Sequence, residues 1–452
     1  MAYNILFYFS DQQRADTCGC FGQPLPITPN LDELAKEGVK FDHAFSPQPV
    51  CGPCRALFQT GKYPTETGCF RNNIMLPEGV KTLADYIEEA GYETAYIGKW
   101  HLASDGELEK PPTIDHTVTA IPRELRGGYT GYWRTADVLE FTSHGYDGFV
   151  FDEHDNRVDF KGYRVDCITD LALDFFKEWD REKPFFMTIS HIEPHHQNDR
   201  KHYEGPDGSK EKYKNFILPP DLEALEGDAR EEYPDYLGAC ASLDENLGRV
   251  VQKLKEEGIY DNTVIIFAAD HGSHFKTRNR DEHLNGYDDY KRSCHDACLR
   301  VPLVIAGGPF KGGIAVEELV STESLPKTIL ALAGVDVGDR MIGENLLDVV
   351  LKKTDNRLNE VYAQISESRV GRTVRTADYK YAVYAPGVNG GEAAAADHYA
   401  DDFLYDLRKD PNELHNLIHD EAYREIKMEL REKLLNWIER AEGKRPLITD
   451  EA

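Results

Sequence analysis

The sequence predicts an α/β fold: a large, mainly parallel sheet flanked by helices, followed by a small C-terminal subdomain of antiparallel strands and one helix. Three observations carry this expectation. Short apolar runs, of the length that buried strands have, recur as far as about residue 305. Amphipathic helical patterns lie between some of them, and strands alternating with helices build a parallel sheet covered on both faces. From about residue 361 the strands become shorter and turn-rich, and a single helix follows.

The elements follow in chain order. Asn4–Phe9 is an apolar run that reads as a buried strand. Leu31–Glu37 has apolar residues at three- and four-residue spacing and stops at Gly38, a residue suited to ending a helix. Thr82–Ala90 does the same and stops at Gly91. Thr94–Ile97, Pro184–Ile189, Thr263–Ala268 and Val301–Ile305 read as further buried strands, and Tyr236–Glu257 as a longer amphipathic helix ending at Gly258. Residues 103–150 and 196–235 are long aromatic or charged insertions, of the kind that form pockets. The polar stretch Leu351–Glu360 divides a domain of residues 1–360 from a subdomain of residues 361–452. In the latter, Val361–Ile365, Val370–Arg375, Tyr379–Val383 and Asp402–Tyr405 read as strands, and Glu421–Ala441 as the closing helix.

Composition narrows the function classes. At 452 residues the chain exceeds the ~100–200 residues of one simple domain. A net charge of −28 argues against nucleic acid as a partner, because phosphate binding needs a basic surface. A small anionic substrate stays open, since a few cations in one pocket reverse the local field. Nine cysteines, odd in number and irregularly spaced, do not make a disulfide scaffold. No apolar run reaches the ~20 residues of a membrane helix. The start of the chain enters an apolar strand without a basic n-region, so the protein is expected to be soluble and cytoplasmic; a trimmed signal peptide would make it periplasmic or secreted. The oligomeric state is not set by any of these features.

Charged or imidazole groups follow four of the apolar runs. Asn4–Phe9 leads to Asp11 and Gln12, Thr94–Ile97 to Lys99 and His101, Pro184–Ile189 to His191, His195 and His196, and Thr263–Ala268 to Asp270 and His271. In a parallel sheet these carboxyl ends share one edge, where ligands bind. One such event means little, because an Asp after a strand is usually a cap and a Lys usually solvated. Four together make a site.

The stretch Cys51-Gly-Pro-Cys-Arg55 has two readings. As Cys-x-x-Cys it is the redox dithiol of thioredoxin-like proteins. As Cys-x-Pro-x-Arg, with Thr60-Gly61 following, it resembles the signature of type I sulfatases. The rest of the chain favours the second. Asp11–Asp16, Gly19–Gly22, Thr28–Ala35 and Glu37–Phe41 look like that family's N-terminal block. Gly98-Lys-Trp-His101, Pro194-His195, Asp270-His-Gly272, Lys291 with Arg300-Val-Pro302, and Leu404–Leu407 with Asp410–Glu413 and Asn416-Leu417 continue the resemblance in order. A dithiol domain explains none of these, and Val50 stands where such a motif has Trp.

The resemblance implies an alkaline-phosphatase-like fold and a formylglycine-dependent sulfuric ester hydrolase. Cys51, oxidised to formylglycine by a maturation enzyme, would be the nucleophile: its hydrated aldehyde attacks sulfur, and collapse of the second hydroxyl releases sulfate. Asp11, Asp270, His271 and residue 51 would hold one divalent cation. Gln12, where many members have a second Asp, either ligates through its amide oxygen or supports the ligands by a hydrogen bond. An oxygen-rich site favours Ca²⁺, then Mg²⁺, and the imidazole leaves Mn²⁺ open. Arg55 would balance charge at a helix N-terminus. Lys99 and Lys291 would bind the sulfate oxygens. His101 would be the base for the collapse, and His195 a sulfate contact and the acid for the leaving alcohol, with His196 and His191 as alternatives. His295 and Asp296 either meet substrate or cap a helix.

Trp100 reads better as core than as a substrate platform. Cys54 stands where the family commonly has a small residue; it is either a buried small side chain or a partner that could close a disulfide with Cys51 before maturation. The aromatics of Gly127–Arg134 and Phe141–Phe151 either pack the insertion or stack on a sugar, and the latter favours a sulfated mono- or oligosaccharide from glycosaminoglycan or mucin. An arylsulfatase, a phosphonate monoester or phosphodiester hydrolase with the same nucleophile is the nearest alternative, and a non-catalytic sulfate-sugar binding protein the remote one.

Overall fold

The computed structural model describes residues 2–107, 110–279, 289–353 and 357–450. A 12-stranded mixed sheet forms its centre. Asn4–Ser10 lies in the middle, parallel to Thr263–Ala269 on one side and to Phe185–Ser190 on the other. Glu93–Lys99 and then Tyr132–Ala136 extend the parallel run outward from Phe185–Ser190. The expected strands are therefore present, and four of them point the same way, which brings their carboxyl ends to one edge.

The expected strand Val301–Ile305 is different. Pro302 has no N–H to give a ladder, and the chain splits into Arg300–Val301 and Leu303–Ala306, both antiparallel to their neighbours. Two strands carry no continuous apolar run and escaped the sequence reading: Val39–Phe45 and Ile314–Ser321, which pair in parallel. The insertion after Lys99 also contributes strands. Asp147–Asp152 pairs with Tyr132–Ala136 and Arg157–Lys161 pairs with Asp147–Asp152, so the insertion widens the sheet at its edge.

Side-chain alternation along the central strand separates two cores. Ile5, Phe7 and Phe9 pack with Leu57 and Phe58 of the helix Cys51–Thr60 and with Leu83 and Ile87 of the helix Leu83–Glu89. Leu6 and Tyr8 face the other way, onto Leu31 and Leu34 of Pro29–Glu37, Phe175 of Arg164–Glu178 and Leu247 of Ala229–Glu256. The last helix begins earlier than expected and carries Pro234 inside its opening turns. Trp100, Tyr129 and Trp133 stack around Tyr96 in the first core, so the Gly127–Arg134 aromatics are interior and do not face a sugar.

The second sheet has five strands: Glu360–Ile365, Arg369–Thr376, Tyr379–Asn389, His398–Asp406 and Leu447–Thr449. All pairs are antiparallel except the last, and the helix Arg424–Glu442 packs on the sheet through Leu430, Leu434 and Ile438. Of the expected boundary, residues 354–356 lie outside the described residues. Among the described residues no helix is long and apolar enough to cross a membrane.

His191 belongs to this framework. Its ring lies against Tyr8 at 4.9 Å between centroids, and neither ring nitrogen has a hydrogen-bond partner. Burial, then the Arg164 guanidinium, push its pKa down to about 3. An unfolded chain therefore binds this proton near pH 6.5 and the folded one does not, so stability is lost as pH falls from about 6.5 towards 3. His191→Phe should flatten that loss by up to about 1.4 kcal/mol per pH unit. Urea midpoints of both proteins at pH 7 and pH 5 check this; equal shifts in the two would contradict it.

Candidate active site

Cys51 is the first residue of the helix Cys51–Thr60, after an extended Val50. The four strand ends meet around it. Its Sγ accepts a hydrogen bond from Lys291 Nζ at 2.8 Å and lies 3.4 Å from both Asp11 Oδ1 and His271 Nε2. Asp11 Oδ2 accepts from Lys99 Nζ at 2.7 Å and from Arg55 Nη2 at 3.0 Å. Arg55 also donates to the Lys99 carbonyl and to Ser190 Oγ, and its guanidinium lies 5.0 Å from the Phe9 ring centre. Asp11, Asp270 and His271 are fully buried. Gly98 is required where it stands: its φ is +102°, and a Cβ there would come within 2.0 Å of the Ser190 carbonyl oxygen.

Charge follows from this crowding. Burial opposes ionisation of Cys51, but Lys291, Lys99 and His271 outweigh it and hold the thiol far below its usual range. Burial, then the Cys51 sulfur, oppose ionisation of Asp11, and the Lys99 and Arg55 cations outweigh them and hold its carboxyl well below the usual range. Asp270 goes the other way: burial, then the Asp11 carboxylate, raise it.

Asp11, Cys51, Asp270 and His271 offer donor atoms that all lie within 4.8 Å of one another. Three details fit a cation among them. Asp270 Oδ2 is buried with no hydrogen-bond partner. His271 Nδ1 lies 2.9 Å from the Gly272 carbonyl; a carbonyl only accepts, so Nδ1 carries the proton and Nε2 faces the cluster. Two carboxylates and an imidazole on one centre are a donor set for a hard or borderline dication.

Gln12 has a left-handed backbone, with φ of 67°. Its amide nitrogen donates to the Tyr203 hydroxyl at 2.9 Å and its backbone N–H to Asp270 Oδ1 at 2.9 Å, so it holds Asp270 in place.

His195 Nδ1 donates to the His196 carbonyl at 2.6 Å. Burial, then the Lys291 ammonium, push its pKa down to about 3, so Nε2 accepts from Lys291 Nζ at 2.8 Å. His101, also left-handed at φ of 63°, helps to lower the Cys51 pKa through a side-chain hydrogen bond, and its Nδ1 is buried without a hydrogen-bond partner.

Other expected residues lie apart from this group. The His196 ring stacks on Tyr290 at 4.3 Å and its Nδ1 pairs with Asn198 Oδ1. His191 is in the framework described above. His295 caps the short helix Asp296–Leu299 and touches Ser293 and Tyr405, while Asp296 pairs with Lys380 and Arg375. The pair joins the two sheets; the expectation that His295 meets substrate gives way to a packing role. Cys54 Sγ donates to the Asp270 carbonyl at 3.2 Å, so the two thiols of the motif serve different partners.

Two residues near the site escape a reading of the sequence alone. Asp137 follows the strand Tyr132–Ala136; its carbonyl accepts from His101 N, and its carboxylate from Leu102 N, Ala103 N and Ser104 Oγ, shaping the His101 loop. Glu140 is buried, its carboxylate accepts from Asn198 N at 2.8 Å and Nδ2 at 3.1 Å, and burial raises its pKa against the opposing Lys99 charge. The strand-end argument would have found Asp137, had Tyr132–Ala136 been recognised as a strand.

The Sulfatase family model matches residues 3–335, and the model described as N-sulphoglucosamine sulphohydrolase, C-terminal, matches residues 283–440. An ulvan-active sulfatase of Formosa agariphila is 29% identical over 450 residues, covering 95% of this chain and 80% of that protein. An N-acetylglucosamine-6-O-sulfatase of Bacteroides thetaiotaomicron is 25% identical over 516 residues, covering 95% and 85%. A structure solved with its substrate D-glucosamine-2-N,6-O-disulfate superposes with a TM-score of 0.76 at 22% identity, covering 99% of both chains.

Proposed function

The chain belongs to the sulfatase family and is a sulfuric ester hydrolase, and from that premise we propose that it removes sulfate from a sulfated saccharide, using formylglycine at position 51 and one divalent cation. The observation that carries this reading is the buried meeting of Cys51 with Lys291, His271 and Asp11.

Asp11, Asp270, His271 and residue 51 would hold the cation, with Gln12 supporting Asp270; Ca²⁺ suits the carboxylates, and Mg²⁺ or Mn²⁺ are the alternatives. The cation would supply Lewis acidity toward the sulfate and the nucleophile. Formylglycine would supply a hydrated aldehyde as the nucleophile toward sulfur. The chain's own residues do the rest. Lys291, on residue 51, and Lys99, on Asp11, offer ammonium groups where negative charge builds on the sulfate oxygens. Arg55 and Lys99 hold the Asp11 carboxylate in one orientation. His101 stands beside residue 51 as the base. His195 at neutral pH has no proton on Nε2; an anionic sulfate beside it raises its pKa, and it can then pass a proton to a leaving alcohol.

An exposed aromatic residue suits a saccharide. Phe141 is 57% exposed and adjoins the buried Glu140, whose partner is Asn198. An exposed aromatic face next in sequence to a carboxylate fits a sugar ring and its hydroxyls. The names of the relatives, an ulvan-active sulfatase and an N-acetylglucosamine-6-O-sulfatase, agree with it. Phe141→Ala should raise KM for a sulfated sugar roughly tenfold and leave kcat/KM for 4-nitrophenyl sulfate within about twofold. Equal effects on both substrates would remove Phe141 from the sugar site.

The imidazole of His271 in the donor cluster keeps phosphonate monoester hydrolysis as the second reading. The test has two parts. The mass of the tryptic peptide Phe41–Arg55, from protein made beside a maturation enzyme, should show formylglycine at position 51. The same sample should turn over 4-nitrophenyl sulfate faster than an aryl phosphonate. An unmodified Cys51 would overturn the mechanism, and the reverse rate order would overturn the substrate class.

A further inference from the structure

Lys291 and Cys51 reach each other from distant parts of the chain, and the residue after each is tied to one carboxylate, Arg292 directly and Gly52 through Asn72. Glu367 lies in the turn between Glu360–Ile365 and Arg369–Thr376, in the second sheet. Glu367 Oε2 accepts the Asn72 N–H at 2.9 Å, and Asn72 Oδ1 in turn accepts the Gly52 N–H at 3.0 Å. That amide belongs to the first turn of the helix that begins at Cys51, where N–H groups have no partner inside the helix. Glu367 Oε1 accepts from Arg292 Nε at 3.1 Å and also pairs with Arg292 Nη2. Arg292 follows Lys291, and its other arm pairs with Asp289 at 2.5 Å.

Further contacts dock the turn against the same loops. Gln364 N–H donates to the Pro47 carbonyl at 2.9 Å, and Ser366 Oγ accepts from Gln48 Nε2 at 2.6 Å. Glu367 and Arg292 have left-handed backbones, with φ of 72° and 63°. Non-glycine residues adopt that conformation at a cost and keep it where surroundings over-determine it.

We propose that Glu367 is a positioning residue of the active site: acting through Asn72–Gly52 and through Arg292, it fixes the distance between residue 51 and the Lys291 ammonium. The second sheet is thereby part of the catalytic apparatus without touching substrate. A misplacement of about 1 Å at a reacting group costs on the order of 10²-fold in rate, which sets the size of effect to expect. The catalytic consequence rests on the hydrolase reading above; the positional one does not.

The experiment compares wild type with Glu367→Ala and Glu367→Gln by hydrogen exchange and by kinetics. Exchange should quicken in peptides covering residues 51–58 and 289–298 together, and stay at the wild-type rate in the central strand Asn4–Ser10. Using converted enzyme and 4-nitrophenyl sulfate, Glu367→Ala should lower kcat about 10–100-fold with KM within about threefold. Glu367→Gln, which keeps an acceptor for Asn72 but loses the charge toward Arg292, should fall between. Asn72→Ala combined with Glu367→Ala should lose less than the product of the single effects, because the two act in series. Wild-type exchange in either segment, or multiplicative losses in the double variant, would overturn the proposal. If wild type itself turns over no sulfate ester, the hydrolase reading fails, and the exchange result still decides whether Glu367 holds both segments.

Discussion

Cys51→Ala should abolish sulfate-ester turnover, by about 10⁵-fold or more, as removal of an enzymic nucleophile does, and yet leave the protein folded. The two halves of this expectation have different origins. Turnover depends on residue 51 as the atom that bonds to sulfur. Stability depends on what the sulfur leaves behind: Lys291 keeps His195 as a hydrogen-bond acceptor and Lys99 keeps Asp11. To the transfer and small-cavity terms of a single sulfur, about 1–2 kcal/mol, is added the loss of the sulfur's charge opposite the Lys291 ammonium, which His195 offsets only in part. Wild-type protein made without a maturation enzyme should behave in the same way, folded and inactive. Rates with 4-nitrophenyl sulfate and urea midpoints on all three samples would check this. Turnover above about 1% of wild type in Cys51→Ala would place the nucleophile elsewhere.

Asp11→Ala should fail in both respects. Asp11 is fully buried and is the carboxylate onto which Lys99 and Arg55 both converge. Without it two cations remain in a site without solvent, and breaking a buried pair in this way costs about 3–5 kcal/mol. Asp11→Asn should cost less, since an amide oxygen still accepts from Lys99. The measurement is urea unfolding in the presence of a chelator, so that loss of a bound cation does not contribute. A shift below about 1 kcal/mol would mean that the two cations find other partners. Activity should disappear in both variants, because the residue would also be a ligand of the cation.

Much of this site was legible in the sequence because it obeys a rule of topology. Strands that are apolar throughout are easy to recognise, and their carboxyl ends must meet if they are parallel. Asp11, Lys99, His195, Asp270 and His271 were found that way before any resemblance was considered. Cys51 and Lys291 follow no such run, and their motifs identified them. What escaped the sequence has a physical cause in each case. Val39–Phe45 alternates buried and half-buried positions, so it gives no continuous run. His196 adjoins His195 but points elsewhere, since a step of one residue at a turn reverses a side chain, and His295 lies four residues past Lys291, at the head of a short helix. Left-handed positions at Gln12, His101, Arg292 and Glu367 are set by tertiary contacts and leave no mark on residue type.

The order of strands has a consequence for change over time. The charged cage grows from the middle of the sheet, where every strand has neighbours on both sides. The wall that carries Glu140 and Phe141 grows from the excursion beyond Tyr132–Ala136, at the margin. Insertions and deletions are tolerated at margins, where few contacts must be rebuilt. With a sugar held at Phe141, as proposed, a lineage built on this plan would exchange the molecule it recognises while inheriting its chemistry untouched.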